Sequence, residues 1–304
     1  SRDPYEEFVI PKSRGSGRTI AAPEPVLMET QRWILDHVLQ GAPVHPSSFA
    51  YSRGRSCAQA ASQHLGARWL VKVDFMDFFG SIDERAVYDI YRRLGYQALV
   101  AFELARISTR PGRSAPLARS PRTYSGMRYR PGRLGALPQG APTSGALANL
   151  HCHPLDEALS TWSIARGYVY TRYADDIAIS GAGTLSESKY RQIVRAVDVN
   201  ARRLRLRLNP TKTRKYGPGD RRAVLGILVD GDTLRLTRRF RSYVDGHLRA
   251  IEKFGLRPHS VHAGFRDELG LLNHVRGSID YAHDVDPTWA RPRYQRLDTA
   301  LGRS

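Results

Sequence analysis

The stretch Val169-Tyr-Thr-Arg-Tyr-Ala-Asp-Asp-Ile-Ala-Ile-Ser180 decides the fold predicted for this chain. Apolar and aromatic residues on both sides of an acidic pair predict two short strands joined by a tight polar turn. Such a hairpin presents the carboxylates of Asp175 and Asp176 at its tip. An isolated Asp-Asp pair is most often a solvated turn, so the interpretation depends on the rest of the chain.

A second apolar strand ends in an acid. The segment Trp69-Leu-Val-Lys-Val-Asp-Phe75 reads as a buried strand and carries Asp74 at its end. Carboxylates at the ends of apolar strands pack poorly unless a cation lies where the strands meet. Oxygen ligands of this kind suit Mg²⁺, and two such ions about 4 Å apart support in-line phosphoryl transfer. The three aspartates therefore predict a divalent metal site.

The remaining pattern predicts an α+β chain in which a sheet is followed by a helical tail. Two short strands are expected around a basic Gly-rich turn near the start of the chain. Residues 106–136 combine Arg, Pro and Gly with little apolar periodicity, which predicts an exposed basic loop or hairpin. A buried strand is expected over 224–229, the chain reads as helical after about residue 235, and further helices are expected over 83–96, 144–166 and 186–207.

The charge balance indicates an anionic partner. Lys and Arg number 47 against 29 Asp and Glu, a net charge of +18. Phosphate backbones are the usual partner of such an excess, so nucleic acid binding is expected. No apolar stretch approaches the roughly 18 residues of a membrane span, and the first residues lack a secretory signal. No membrane partner is therefore expected. Cys57 and Cys152 lie too far apart to suggest a disulfide framework, so a reducing, cytoplasmic location is expected.

Five sequence blocks follow one another along the chain. They are Val71-Lys-Val-Asp-Phe-Met-Asp-Phe-Phe-Gly-Ser-Ile82, Leu137-Pro-Gln-Gly-Ala-Pro-Thr-Ser144 with Ala148-Asn-Leu150, Tyr173-Ala-Asp-Asp176, Leu208-Asn-Pro-Thr-Lys-Thr213 and Ala223-Val-Leu-Gly-Ile-Leu228. In this order they resemble the blocks of reverse transcriptases, and Arg18-Thr-Ile20 with Pro23 is similar to the fingers block of that family. The resemblance implies a right-hand polymerase fold with fingers, palm and thumb, in which the palm is an antiparallel sheet with flanking helices. Fingers and palm would occupy 1–228, the palm mainly 69–84 and 138–228, and a helical thumb would occupy 229–304.

The resemblance also implies a catalytic set. Asp74, Asp175 and Asp176 would be the catalytic carboxylates and would hold two Mg²⁺ ions. The backbone carbonyl of Phe75 would be a further metal ligand, beside the incoming dNTP. Lys212 would approach the triphosphate and donate a proton to the leaving pyrophosphate. A surface lysine that follows a turn is the alternative interpretation of Lys212.

A second group of residues would bind the dNTP, again by resemblance. Gln139 would lie over the incoming nucleotide. The ring of Phe79 would collide with a ribose 2′-hydroxyl, unless Phe79 is a plain core aromatic. Arg18, with Lys12 or Arg14, would hold the β and γ phosphates, for which the bidentate guanidinium is suited. The alternative for these basic residues is a solvated loop.

A basic and aromatic cluster within 106–136 is the candidate RNA contact, since stacking plus charge holds unpaired RNA. An exposed insertion without a fixed partner is the alternative. The cluster consists of Arg122, Tyr124, Arg128, Tyr129, Arg130 and Arg133.

The short chain most resembles retron reverse transcriptases, because it lacks room for the extra domains of larger relatives. Ala61-Ser-Gln-His64 matches part of a retron signature, although Ala60 stands in place of Asn and Val224-Leu-Gly226 in place of Val-Thr-Gly. The resemblance implies a structured non-coding RNA as template and primer, an RNA–DNA duplex product and anti-phage defence with a separate effector protein. Two alternatives stay open: a non-retron defence-associated reverse transcriptase, and a nucleic-acid-binding protein with a vestigial polymerase site.

Overall fold

The computed structural model describes residues 3–10, 17–111 and 134–302. The chain forms two compact units, each built from two segments. The first comprises Ser1–Ser56 and Leu70–Lys215, and the second comprises Cys57–Trp69 and Tyr216–Ser304. The domain boundary expected after residue 228 stays a prediction, because compactness alone assigns no functional role.

The described elements alternate strands and helices and end in a run of helices. In chain order they are β1 (Tyr5–Ile10), β2 (Arg18–Pro23), α1 (Pro25–Ile34, continued by a π-helical turn at Leu35–Leu39), α2 (Cys57–Ser62), β3 (Trp69–Met76), α3 (Glu84–Arg93), α4 (Ala98–Ser108), α5 (Ser144–Ile164), β4 (Val169–Tyr173), β5 (Asp176–Gly181), α6 (Glu187–Arg203), β6 (Arg207–Leu208), β7 (Arg214–Tyr216), β8 (Ala223–Val224), β9 (Ile227–Leu228), β10 (Arg235–Leu236), α7 (Arg238–Phe254), α8 (Leu256–His262), α9 (Glu268–Val285) and α10 (Pro287–Ala300).

The first unit is built on a five-stranded sheet with the order β4-β5-β3-β6, in which β7 also pairs with β3. Strand β4 pairs antiparallel with β5, and β3 pairs antiparallel with β6. Consecutive residues of β3 are buried, including Leu70, Val71 and Val73, which means that both faces of this strand are covered. Helices α3, α5 and α6 pack together beside the sheet. A separate antiparallel hairpin, β1-β2, completes the described part of this unit.

Local side-chain chemistry explains where the predicted helices begin. Asp83 accepts a hydrogen bond from the backbone N–H of Ala86 and caps α3, and Ser186 caps α6 in the same way through Lys189. Such caps satisfy N–H groups that otherwise have no partner in the first turn. Helices form within the expected ranges 83–96, 144–166 and 186–207, but α6 ends at Arg203 and Arg207 begins strand β6.

Two sequence-based expectations differ from the structure. The segment 224–229 is not one strand: β8 and β9 pair across a turn at Leu225 and Gly226, which have φ angles of 52° and 83°. The two ends of segment 106–136 are not exposed. Helix α4 extends to Ser108, and Arg110 and Ala136 form a buried antiparallel bridge because their backbone groups pair with each other.

The second unit is mostly helical, as expected for the chain after residue 235. Helix α7 buries Val244, Leu248 and Ile251, which recur at helical spacing on one face. Helices α9 and α10 pack against each other and against α7. Among the described helices, none is both long enough and apolar enough to cross a membrane.

Candidate active site

The acidic hairpin forms as predicted. Tyr173 pairs with Asp176 across β4 and β5, so Ala174 and Asp175 make the connecting turn. Ala174 has a φ of 54°, a left-handed conformation that costs about 1–2 kcal/mol in a residue with a Cβ. The strain indicates that the surrounding structure holds this turn in place.

Strand β3 lies next to β5 and brings Asp74 to the same region of the sheet. Burial, followed by the charges of Asp176 and Asp74, raises the pKa of Asp175. Burial also raises the pKa of Asp176, an effect that Lys72 opposes and Asp74 reinforces. Like charges that destabilise one another in a partly buried site create a demand for a cation.

Lys212 supplies a positive charge to one of these carboxylates. Its Nζ donates hydrogen bonds to both carboxylate oxygens of Asp74, at 2.9 and 2.8 Å. The loop that carries Lys212 is fixed to β3, because the backbone N–H of Asn209 donates to the backbone oxygen of Asp74 at 2.7 Å. The structure therefore brings Lys212 to the carboxylates, and its predicted role toward a triphosphate stays a prediction.

The donor set fits a divalent cation in its chemistry. All the side-chain donors are carboxylate oxygens, which hard cations prefer. Within the described ranges no three His, Cys, Asp or Glu side chains form a closed metal-binding group, and the ammonium of Lys212 lies against Asp74. The ring of Phe75 is buried and stacks on Phe78 with centroids 5.9 Å apart, so Phe75 could contribute only its main chain.

The predicted dNTP residues Gln139 and Arg18 belong to segments that contact each other. The backbone N–H of Ala21 in β2 donates to the backbone oxygen of Gln139 at 2.8 Å. Gly140 has a φ of 118°, and a Cβ at this position would lie 2.6 Å from Cγ2 of Ile20, so the close packing requires glycine. Arg18, the first residue of β2, is exposed, and its positive charge lowers the pKa of Asp176.

Some of the predicted binding residues lie outside the described part of the chain. This applies to two of the phosphate-binding candidates and to the whole candidate RNA contact. They are Lys12, Arg14, Arg122, Tyr124, Arg128, Tyr129, Arg130 and Arg133.

An aromatic row leads from the core to the surface beside the carboxylates. Phe78 is buried, and its ring contacts the ring of Phe79 edge to face at 5.3 Å. The half-buried Phe79 in turn contacts Tyr51 at 6.1 Å. Tyr51 has a φ of 53°, an unusual conformation for a bulky residue, which costs of order 1–3 kcal/mol. Tyr51 lies outside all five sequence blocks, and no local pattern marked it.

A buried ion pair contacts the turn of the acidic hairpin and stabilises it. Arg172 and Asp156 have no exposed side-chain surface, and Arg172 donates to the two oxygens of Asp156 at 2.8 and 2.6 Å. Arg172 also donates to the backbone oxygen of Ala174, in the strained turn, at 3.1 Å. Sequence reasoning missed this pair, although an Arg within an otherwise apolar strand is a signal that could have found it.

The same guanidinium connects the hairpin to the segment before Tyr51. Arg172 donates to Ser48 Oγ at 2.9 Å and to Asn149 Oδ1 at 3.2 Å. Asn149 then donates to the backbone oxygen of Ala50 at 2.7 Å. The positions of Tyr51 and of the acidic turn therefore depend on one buried network.

Comparison with known proteins identifies the family. Residues 10–229 match the family model described as reverse transcriptase (RNA-dependent DNA polymerase). The chain is 36% identical over 297 residues to the retron Mx162 reverse transcriptase of Myxococcus xanthus, covering 94% of this chain and 59% of that protein. It is 29% identical to the retron Ec86 reverse transcriptase of Escherichia coli, covering 88% of this chain and 72% of that protein. The chain thus spans about six tenths of the length of the Mx162 protein.

Solved structures support the fold. The telomerase of Candida albicans, solved with a fragment of telomeric RNA, superposes with a TM-score of 0.52 at 11% identity, covering 98% of this chain and 56% of that one. The apo telomerase of Candida tropicalis gives 0.51 at 10% identity, covering 97% and 58%. The predicted α+β right-hand polymerase fold is confirmed. The matched blocks and the hairpin geometry lead to one conclusion: this chain belongs to the reverse transcriptase (RNA-dependent DNA polymerase) family and is similar to bacterial retron reverse transcriptases.

Proposed function

We propose that this chain is an RNA-directed DNA polymerase that copies a structured non-coding RNA as part of a retron. The observation that carries the proposal is the position of Asp74 on β3 beside β5, where burial and the charges of Asp176 and Asp74 raise the pKa of Asp175. A vestigial site has no physical reason to retain three mutually repelling carboxylates, which argues against a protein that only binds nucleic acid.

Asp74, Asp175 and Asp176, with the main chain of Phe75, would hold two Mg²⁺ ions, which when bound lower the pKa of the attacking hydroxyl and stabilise the pyrophosphate charge. A side chain of the protein would supply the proton for the leaving group. The ammonium of Lys212, now paired with Asp74, would exchange that carboxylate for the triphosphate and donate a proton to the leaving oxygen.

The residues around the carboxylates suit a deoxynucleotide. Arg18 supplies a guanidinium fork for the β and γ phosphates, with Lys12 or Arg14 as further candidates. Gln139 would contact the nucleotide from the loop that packs on β2. The ring of Phe79 would exclude the 2′-hydroxyl and so select deoxyribose over ribose.

The retron assignment rests on the similarity to proteins named retron reverse transcriptases. It implies a folded RNA partner, an RNA–DNA product and a separate effector protein in anti-phage defence. Two substitutions favour a second candidate, a non-retron defence-associated reverse transcriptase. Ala60 and Leu225 stand where retron enzymes carry Asn and Thr, and Leu225 occupies the β8-β9 turn.

Primer extension on an RNA template in Mg²⁺ tests the polymerase activity. Asp175→Asn should lower the rate on the order of 10³-fold or more, because it removes transition-state stabilisation of several kcal/mol. Asp36→Asn, at an exposed aspartate of the same unit, is the matched control and should extend like wild type. Equal rates for Asp175→Asn and wild type would show that the assigned site is wrong.

Sequencing the nucleic acid that co-purifies with the chain separates the two candidates. A branched RNA–DNA molecule supports a retron. A free or protein-linked DNA product without such a branch supports the non-retron candidate.

A further inference from the structure

The ring of Tyr51 presents a partly exposed aromatic surface in the first unit. The residue is 56% exposed, and its ring meets the ring of Phe79 edge to face at 6.1 Å. Exposed aromatic rings are efficient contact surfaces for nucleosides, because every base and sugar presents an apolar face. The location of this ring beside the proposed sugar-selecting residue is therefore informative.

Packing and main-chain hydrogen bonds fix the position of the Tyr51 ring. A Cβ on Gly145 would lie 2.4 Å from Cγ of Tyr51, so only glycine at this position of α5 lets the ring lie so close. The main chain just before Tyr51 is held by two hydrogen bonds. Phe49 donates its backbone N–H to the backbone oxygen of Arg172, and Ala50 accepts from Asn149. The ring is thus preorganised, which favours binding over mobility.

Charges of both signs act on the Tyr51 hydroxyl. Partial burial and the negative charge of Asp175 raise the pKa of Tyr51, whereas the positive charge of Arg18 lowers it. Two groups that the proposed function assigns to the metal ions and to the phosphates therefore lie near this ring. A nucleotide whose phosphates were held by Arg18 and by metal ions at Asp175 would have its sugar and base close to the ring of Tyr51.

We propose that Tyr51 is a specificity-determining contact of the nucleotide site. Its ring and the ring of Phe79 form an aromatic wall against which the sugar and base of the incoming nucleotide pack. Tyr51 also limits the movement of Phe79, which could otherwise rotate away from a 2′-hydroxyl. This inference rests on the proposed polymerase function and extends it.

Single-nucleotide incorporation on an RNA template tests the inference, with KM and kcat measured for a dNTP and the matching rNTP. Tyr51→Ala should raise KM for the dNTP about 10-fold, lower the preference for the dNTP over the rNTP about 10-fold and leave kcat within about 3-fold. Tyr51→Phe keeps the ring and should stay within about 2-fold of wild type in all three. Trp33→Ala is the matched control, because Trp33 is equally exposed at 57% but lies on α1.

Three outcomes would overturn the inference. The first is an unchanged KM and sugar preference in Tyr51→Ala. The second is a loss in Tyr51→Phe as large as in Tyr51→Ala, which would assign the effect to the hydroxyl. The third is a loss carried by kcat alone, which would indicate a disturbed hairpin instead of a nucleotide contact.

A binding measurement separates failure of this inference from failure of the proposed function. Wild type is mixed with an RNA template annealed to a DNA primer that ends in a dideoxynucleotide, so that dNTP affinity is measured by complex stability without turnover. Tyr51→Ala should weaken the dNTP about 10-fold. If wild type binds dNTP through Tyr51 but does not extend an ordinary primer, the polymerase proposal fails and this inference stands. If Tyr51→Ala changes nothing, or if no dNTP binds, the inference is wrong.

Discussion

Replacing Arg172 by Met should destabilise the first unit by about 3–5 kcal/mol, because it leaves the carboxylate of Asp156 buried without its charge partner. The structure gives the terms of this figure. Both side chains are fully buried, and the substitution removes donors from both Asp156 oxygens and from the backbone oxygen of Ala174. Tyr170 still donates to Asp156 at 2.7 Å, so the loss is incomplete. The corresponding fall in Tm is roughly 6–20 °C for a unit of this size.

The assay must distinguish the two compact units, since their unfolding need not be a single transition. Hydrogen exchange in increasing urea, followed on peptides from β4, β5 and α5, reports the first unit. Peptides from α7 and α9 provide an internal reference. Arg166→Met is the matched control, because Arg166 is exposed and stacks on Trp162 at 4.5 Å, and its replacement should cost at most about 1 kcal/mol.

A double variant isolates the charge effect. Adding Asp156→Leu to Arg172→Met removes the unpaired carboxylate and should recover about 1–3 kcal/mol relative to Arg172→Met alone. The reasoning is refuted if Arg172→Met costs no more than the Arg166→Met control. It is also refuted if the double variant is less stable than Arg172→Met.

Three further predictions concern the site. In EDTA, Asp175→Asn should raise Tm at neutral pH. Burial and neighbouring carboxylates raise the pKa of Asp175, so this group favours folding at acid pH and opposes it as pH rises through that pKa. Added Mg²⁺ should shrink the Tm difference between variant and wild type by stabilising only wild type, and an equal Tm in EDTA would contradict this prediction. Lys212→Met should slow single-turnover incorporation about 10²-fold without loss of RNA affinity, since its ammonium reaches Asp74 from a half-exposed side chain; a rate within 2-fold of wild type would leave Lys212 as a surface residue. Gly140→Ala should cost about 1–3 kcal/mol and raise KM for dNTP, because the positive φ and the contact with Ile20 both oppose a Cβ; unchanged Tm and KM would show that the loop adapts freely.

The acidic hairpin was predictable because its determinants are adjacent in the chain. Apolar and aromatic residues on both sides of Asp175 and Asp176 favour two strands, and the polar pair favours the turn between them. The same local reasoning located Asp74 near the end of an apolar strand. It failed at Leu225 and Gly226, because an apolar run with a single glycine reads as one continuous strand.

The partners of these residues were not predictable in the same way. Lys212 and Asp74 are 138 positions apart in sequence, and Arg172 reaches Ser48 across 124 positions. No periodicity relates such residues, so their contact depends on how the sheet and α5 assemble. The left-handed conformation of Tyr51 has no signal in its own segment for the same reason.

Local propensity and block order were enough to indicate strands, helices and the polymerase family, and they predict which acids are catalytic. These features depend on neighbouring residues, whose interactions persist in any chain that forms the elements. The raised pKa of Asp175, the Lys212 pair and the buried Arg172 network exist only after folding, because each requires segments that are distant in the chain to come together. Tertiary structure thus decided the electrostatics of the site and the placement of Tyr51, the residue that we propose completes it.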